Sequence, residues 1–263
     1  MDLGLKNKTA LVAAASKGFG RAVAEELAIE GARVAICSRN ETLIKRVAEE
    51  IAEKTGSEIF GVQTDVSRSE EVEHLVSEVV ERLGTIEILV TNAGGPAPGT
   101  FEALENSAWT EAFHLNLLSV VDLCRAVIPY MRANRWGRII NITSIAVKQP
   151  VDGLLLSNSL RAGVVGLAKT LSKELASDNI LVNNVCPGFT MTERVEQLAD
   201  AMADRTGRKR DDVLRDWEST IPLGRIGNTA EFAALVAFLA SERASYITGT
   251  TIPVDGGAVQ GIM

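Results

Sequence analysis

Short apolar runs alternate along this chain with longer stretches of helical spacing. The runs lie at 9–15 (TALVAAA), 33–37, 59–64, 86–91, 138–143, 180–185 and 250–254. Continuous apolar runs of this length suit strands buried on both faces of a parallel sheet. The stretches between them are amphipathic. In 21–30, Ala24, Leu27 and Ala28 share one face, and Glu25, Glu26 and Glu30 the other. The segments 41–54, 69–83, 108–133, 157–176 and 230–241 repeat that pattern, as amphipathic helices do. The alternation predicts an α/β fold: a doubly wound, Rossmann-type parallel sheet of seven strands with helices on both faces. Ligands of such sheets bind beyond the carboxyl ends of the strands, at the switch point.

One segment breaks the rhythm. Residues 192–219 are charged, with helical patterns at 193–203 and 210–217, between the sixth and seventh strands. They read as a lid or substrate-side insertion, or as a solvated helical hairpin. No Pro/Gly/Ser-rich linker divides the chain, so 1–263 reads as a single dinucleotide-binding domain.

Composition narrows the function classes. A net charge of -7 argues against a nucleic-acid partner, which needs a basic stripe. Cys37, Cys124 and Cys186 are far apart and odd in number, so neither a disulfide framework nor a metal site is expected. Each sits in an apolar run and reads as a core residue. Met1-Asp2-Leu3-Gly4 carries no positive leader, and no stretch approaches a membrane span. A cytoplasmic location and no membrane partner are the expectations. His74 and His114 read as surface or packing residues. With no H-E-x-x-H, no paired cysteines and no G-x-S-x-G, metal or serine hydrolysis has no support.

The chemistry begins where the first strand meets the first helix, at Ser16-Lys17-Gly18-Phe19-Gly20. Glycines there let the backbone approach a pyrophosphate, and the helix N-terminus offers free N–H groups and a positive dipole end. The turn opens a βαβ unit of about 30 residues, the context such a motif requires. The second strand ends at Cys37-Ser38-Arg39, without the acidic residue that would bind the ribose 2′-OH of NAD. Ser38 and Arg39, with Lys17 in the turn, suit a 2′-phosphate instead. NADP(H) is the expected cofactor and NAD(H) the alternative.

These pieces make the sequence resemble the short-chain dehydrogenase/reductase family along nearly its whole length. Residues 14–20 (AASKGFG) match that family's TGxxxGxG turn, with Ala14 in place of the first glycine. Asp65 and Val66 match its adenine contact, and Asn92-Ala93-Gly94 its NAG motif. Asn116 matches its structural and proton-relay asparagine. Pro187-Gly188, Thr190 and Thr192 match the loop that grips nicotinamide and pyrophosphate. Tyr246-Ile247-Thr248-Gly249 and Val254-Asp255-Gly256-Gly257 resemble its last strand. The resemblance implies NAD(P)(H)-dependent hydride transfer at a CH–OH/C=O group of a small-molecule substrate. It also implies a homodimer or homotetramer, with the helices at 108–133 and 157–176 at the interface.

The catalytic centre departs from the family. Ser144 matches the serine that hydrogen-bonds the substrate oxygen. The family's YxxxK reads Ser157-Asn158-Ser159-Leu160-Arg161 here. The two tyrosines, Tyr130 and Tyr246, lie elsewhere. A serine hydroxyl is a far weaker acid than a tyrosine near pKa ~10, and it is shorter, so a water would have to relay its proton. Arg161 can hydrogen-bond ribose hydroxyls, or hold a substrate carboxylate or phosphate, but is a poor proton donor. Lys148 and Asp152, on the loop after Ser144, read as further acids or as solvated loop residues. The candidate catalytic residues are therefore Ser144, Asn116, Ser157 and Arg161. Three functions stay open: an oxidoreductase with a rearranged proton donor, a silent cofactor-binding sensor or scaffold, and an isomerase or lyase using the cofactor structurally.

Overall fold

The computed structural model describes residues 2–261, apart from the side chains at 194 and 201, so the domain bounds at 1 and 263 lie outside the described residues. Among the described residues, nine strands occur: β1 (Thr9–Val12), β2 (Arg33–Ser38), β3 (Ile59–Gln63), β4 (Ile88–Thr91), β5 (Gly137–Ile142), β6 (Ile180–Pro187), β7 (Thr190–Met191), β8 (Gly227–Asn228) and β9 (Thr251–Val254). Seven of them form one parallel sheet in the order β3-β2-β1-β4-β5-β6-β9. The order reverses between β1 and β4, which creates the switch point. The two-residue strands β7 and β8 pair only with each other.

The helices are α1 (Gly18–Ile29), α2 (Glu41–Thr55), α3 (Ser69–Leu83), α4 (Asn106–Phe113), α5 (Ser119–Asn134), α6 (Leu155–Glu174), α7 (Glu193–Thr206), α8 (Arg210–Ser219) and α9 (Thr229–Ala240). Side chains alternate across each strand. In β1, Ala10 and Val12 enter the core under α1, α2 and α9, with Leu27, Ile44 and Val236. Leu11 enters the other core, under α3, α5 and α6, with Leu75, Val127 and Val164. The apolar runs are continuous because both faces are covered. Local chemistry sets the helix ends. Asn40 caps α2 by accepting from the Leu43 amide, and Gly56 closes it in the left-handed region. Asn228 and Glu231 form a capping box at α9.

The structure refines three expectations. The first run stops being a strand at Val12, because Ala14 turns into the left-handed region (φ +48°). The long helix is continuous over 106–134 but carries a π turn at His114–Leu118 between α4 and α5. By length and composition (mean hydropathy 1.3) it could cross a membrane, yet Leu123, Val127 and Met131 are spent in the core. Segment 192–219 is helical, as α7 and α8, with its own small core of Ala199, Ala203 and Val213. All three cysteines are buried and free. Among the described residues, no cluster of His, Cys, Asp and Glu is placed to hold a metal.

A buried polar row crosses four strands at one level. Thr91 Oγ1 donates to Asn141 Oδ1 (2.8 Å), Asn141 Nδ2 to Asn184 Oδ1 (3.0 Å) and Asn184 Nδ2 to Thr251 Oγ1 (3.0 Å). The four residues are successive partners in the parallel register. A buried polar group left without its partner costs about 1–3 kcal/mol. Asn141→Ala, which orphans both neighbours, is expected to lower unfolding free energy in urea by about 3 kcal/mol; a loss under 1 kcal/mol would show the row to be incidental.

Candidate active site

The carboxyl ends of β1, β4, β5 and β6 finish side by side and open onto a cleft of about 780 Å³ at the switch point. Its phosphate-side wall is the turn before α1. Ala14, Ser16, Lys17, Gly18 and Phe19 all line the cleft. Phe19 also leans on Phe232 of α9, ring centroids 4.6 Å apart, so it anchors the turn as well as lining it. Gly20 does not line the cleft. A Cβ there would sit 2.6 Å from the Ala14 carbonyl oxygen and 3.0 Å from Asn92 Nδ2. The residue is glycine so that α1 can close on the strand ends.

The N-terminus of α7 faces the same turn. Its cap, Thr192, accepts from the Val195 amide, and both Thr192 and Glu193 line the cleft. Lys17 Nζ lies 3.3 Å from a Glu193 carboxylate oxygen. Both groups are more than half exposed, so the pair contributes little stability. Two helix N-termini and a lysine thus meet at one place, as an anion site requires.

The adenosine side is built from β2, β3 and β4. Ser38, Arg39, Asp65 and Val66 line the cleft. Arg39 makes no ion pair among the described residues, while its carbonyl is held by Gln63 Nε2 (3.2 Å). Burial raises the Asp65 carboxyl, but hydrogen bonds from the Ser67 hydroxyl and amide, with the charges of Arg39 and Arg68, outweigh it. The net effect holds Asp65 below the usual carboxylate range. Asp65 is therefore a charged acceptor at neutral pH. Thr64, which the sequence reading passed over, lines the cleft with a buried Oγ1 that has no partner.

Asn92, Ala93 and Gly94 follow β4 and line the cleft. Asn92 Nδ2 donates to the Ala14 carbonyl (3.2 Å). The π turn pushes Asn116 into the interior, where its Nδ2 donates to the Gly94 carbonyl (2.9 Å). π turns recur at functional sites because one extra residue re-aims a side chain. Asn116 Oδ1 is buried without a partner.

The far end is the rim nearest the candidate catalytic residues. Thr143 and Arg161 line the cleft there, and Pro187 borders it. Ser144, next to Thr143, caps a one-turn helix at Ile145–Val147 by accepting from the Ala146 amide (3.1 Å). Ser157 and Arg161 lie one turn apart on α6, 6% and 9% exposed. Arg161 Nη1 donates to the Ile142 carbonyl (3.0 Å). Burial pulls its guanidinium down to about 10, with a small opposing effect of the Cys186 thiol, so it stays charged at neutral pH. Ser157 does not line the cleft. Neither do Ser144, Asn116, Gly188 or Thr190. Thr190 is buried, its hydroxyl directed at the Gly188 carbonyl (3.4 Å). A Cβ on Gly188 would meet Asp255 Cα at 2.7 Å, so this glycine serves the packing of β6 against β9. The cleft also includes Glu111 and Leu115 of the long helix and Gln197 of α7. They carry no turn or glycine signal and could be found only by folding the chain.

Comparison with known proteins bears on the family and the fold. A family model described as Enoyl-(Acyl carrier protein) reductase matches residues 13–259. The 3-oxoacyl-[acyl-carrier-protein] reductase FabG of Staphylococcus epidermidis is 39% identical over 252 residues, 95% of this chain and 98% of the relative. FabG of Aquifex aeolicus is 37% identical over 257 residues, covering 98% and 99%. Among solved structures, L-sorbose reductase from Gluconobacter frateurii, complexed with NADPH and L-sorbose, superposes with TM-score 0.97 at 32% identity over 100% of both chains. YwfH, an NADPH-dependent reductase involved in bacilysin biosynthesis, gives 0.92 at 33% over 98% of this chain and 100% of its own.

Ala14 occupies a left-handed conformation (φ +48°) that costs a non-glycine residue about 1–3 kcal/mol. Ala14→Gly removes that strain and adds about 0.4–1 kcal/mol of unfolded-state entropy. A net gain of about 1 kcal/mol is expected, read as a Tm higher by about 2–4 °C; a lower Tm would show that the alanine is not strained.

Proposed function

The chain belongs to the short-chain dehydrogenase/reductase family, and from that premise we propose that it is an NADP(H)-dependent oxidoreductase acting on a carbonyl or alcohol through a non-standard proton donor. The observation that carries this reading is that the cofactor cleft and the Ser144 turn share one rim, joined at Thr143. The residues fit NADP(H): paired helix N-termini for the pyrophosphate, ionised Asp65 and orphaned Thr64 Oγ1 on the adenosine side, and unpaired Arg39 for the 2′-phosphate.

When bound, NADPH supplies a hydride to the substrate carbonyl carbon. This chain's own residues do the rest. Ser144 presents a hydroxyl to the substrate oxygen. Arg161, fixed by the Ile142 carbonyl, holds ribose hydroxyls with its remaining donors. Asn116 ties down the Gly94 strand end that borders the cleft. Ser157 stands where the family has its acid, and it is 6% exposed on α6. The helices α7 and α8 close the substrate side as a lid. The half-buried faces of α6 at Leu160, Val165, Leu167 and Leu171 fit pairing into a homodimer or homotetramer.

The test is to saturate the protein with NADPH, offer ketones, sugar-like carbonyls and acyl thioesters, and follow nicotinamide absorbance. Turnover of at least one class is expected. Tight NADPH binding with no turnover on any would establish the alternative, a silent sensor or scaffold. Two variants sharpen the reading. Arg39→Ala is expected to weaken NADPH by about 10- to 100-fold, the worth of a charge-assisted bond, and to leave NADH binding unchanged; equal losses on both would remove the 2′-phosphate role. Ser157→Tyr with Arg161→Lys is expected to lower kcat at least about tenfold, because both residues are packed in place. A large gain would instead mark a decayed site of ordinary type.

A further inference from the structure

Reduction of a carbonyl needs a proton as well as a hydride, and the groups around Ser144 differ widely as acids. Serine hydroxyls at 144 and 157 are too weak to release a proton near neutral pH. Arg161 has one arm committed to the Ile142 carbonyl and is 9% exposed. A lysine ammonium, at about 10.4, is nearly the same acid as a tyrosine at about 10. Lys148 is the lysine on the loop that carries Ser144.

Its placement is specific. The one-turn helix at Ile145–Val147 begins at Ser144, whose side chain caps it, and ends at Lys148, whose amide donates to the Ile145 carbonyl (2.8 Å). Ser144 and Lys148 are therefore the two ends of one rigid turn, and that turn packs on both α6 and β6. Lys148 is half-buried and makes no ion pair or side-chain hydrogen bond among the described residues. Cys186 Sγ, on β6, lies 3.1 Å from Thr143 Oγ1. Burial raises that thiol, while the Thr143 hydroxyl, the Lys148 charge, the Ser144 backbone and the Arg161 charge each lower it. Two cations without an ion pair among the described residues, Lys148 on the loop and Arg161 on α6, thus both act on Cys186, which sits beside Thr143. The carboxylate on the lysine's own loop, Asp152, is exposed. A carboxylate beside Lys148 would neutralise it. Among the described residues none is placed there, which leaves the ammonium for an oxygen that becomes negative during the reaction.

We propose that Lys148 Nζ is the proton donor of this site, giving its proton to the substrate oxygen held by Ser144. The inference rests on the reductase reading. The carbonyl carbon accepts the hydride, the C=O π pair moves to oxygen, and the new O–H bond takes its proton as the Lys148 N–H bond breaks. One two-electron oxidation of NADPH balances one two-electron reduction of the ketone, and the neutral amine regains its proton from water.

The experiment uses the full chain, NADPH and whichever carbonyl of the panel turns over fastest. Lys148→Met is expected to lower kcat at least 100-fold with KM and NADPH affinity within threefold, since Lys148 does not line the cofactor cleft. Lys148→Arg, which keeps the charge but releases its proton poorly, is expected to lower kcat at least tenfold. Added methylamine is expected to restore rate to the Met variant in proportion to its concentration. Independently of turnover, trace acetylation read by mass spectrometry is expected to slow at Lys148 at least fivefold when NADP+ and the product alcohol are bound. Wild-type kcat in either variant overturns the proposal, as does a rise confined to KM, which would make Lys148 an anchor for a substrate anion. Unchanged acetylation overturns it too. No carbonyl turnover by the wild type, with NADPH still bound, overturns the reductase reading and this inference with it; turnover unaffected at 148 overturns only the inference.

Discussion

The site depends on strands that end in step. A parallel ladder does not by itself fix register, because an apolar strand buried on both faces loses little by sliding two residues. The polar row Thr91–Asn141–Asn184–Thr251 removes that freedom. A slip of one residue would turn these side chains to the other face, and a slip of two would pair amides with apolar neighbours. Either leaves several buried polar groups unsatisfied at about 1–3 kcal/mol each. With register held, the turn after β1, Asn92 after β4, Thr143 after β5 and Pro187 after β6 arrive at the same height. The cleft is a consequence of that alignment.

The alternation of apolar runs and amphipathic stretches was enough to reach the sheet, its parallel direction and most helix positions. The pattern is strong because both sheet faces are covered, so no strand carries a misleading polar row except the one just described. Strand ends were less legible. Ala13, Ala14 and Ala15 extend the first apolar run by composition, yet the backbone leaves the sheet at Ala14 with positive φ. Alanine gives no hint of that conformation, whereas a glycine would have. The π turn around Asn116 was equally silent, because one extra residue within a long helix barely disturbs its apolar spacing.

Within the site, glycine-rich turns and cations at strand ends were readable because each residue type answers a local need. What the turn glycines do was not. Gly20 and Gly188 read as ligand contacts, and each also sits where backbone closely approaches backbone. Contacts made by residues distant in sequence were hidden altogether. The Lys17–Glu193 pair links the first turn to the insertion 176 positions later, and Glu111 enters the cleft from the side of a helix. Neither follows from spacing.

Charge distribution gives the remaining step. The chain as a whole is negative by seven units, yet its cleft gathers Lys17, Arg39 and Arg161, with Lys148 behind the far rim. Glu193 answers Lys17, and Asp65 lies near Arg39 without pairing to it. Toward the catalytic end the compensation stops. Arg161 is buried and its hydrogen-bond partner is a carbonyl, and Lys148 pairs with no carboxylate among the described residues. Holding an unpaired guanidinium at 9% exposure costs folding energy that a neutral side chain would not. A family member with tyrosine and lysine carries one cation here and one neutral acid. This chain has Ser157 and Arg161 at those two positions. With Lys148 as the proposed donor, the positive charge stays on α6 and the proton source moves to the loop that follows β5.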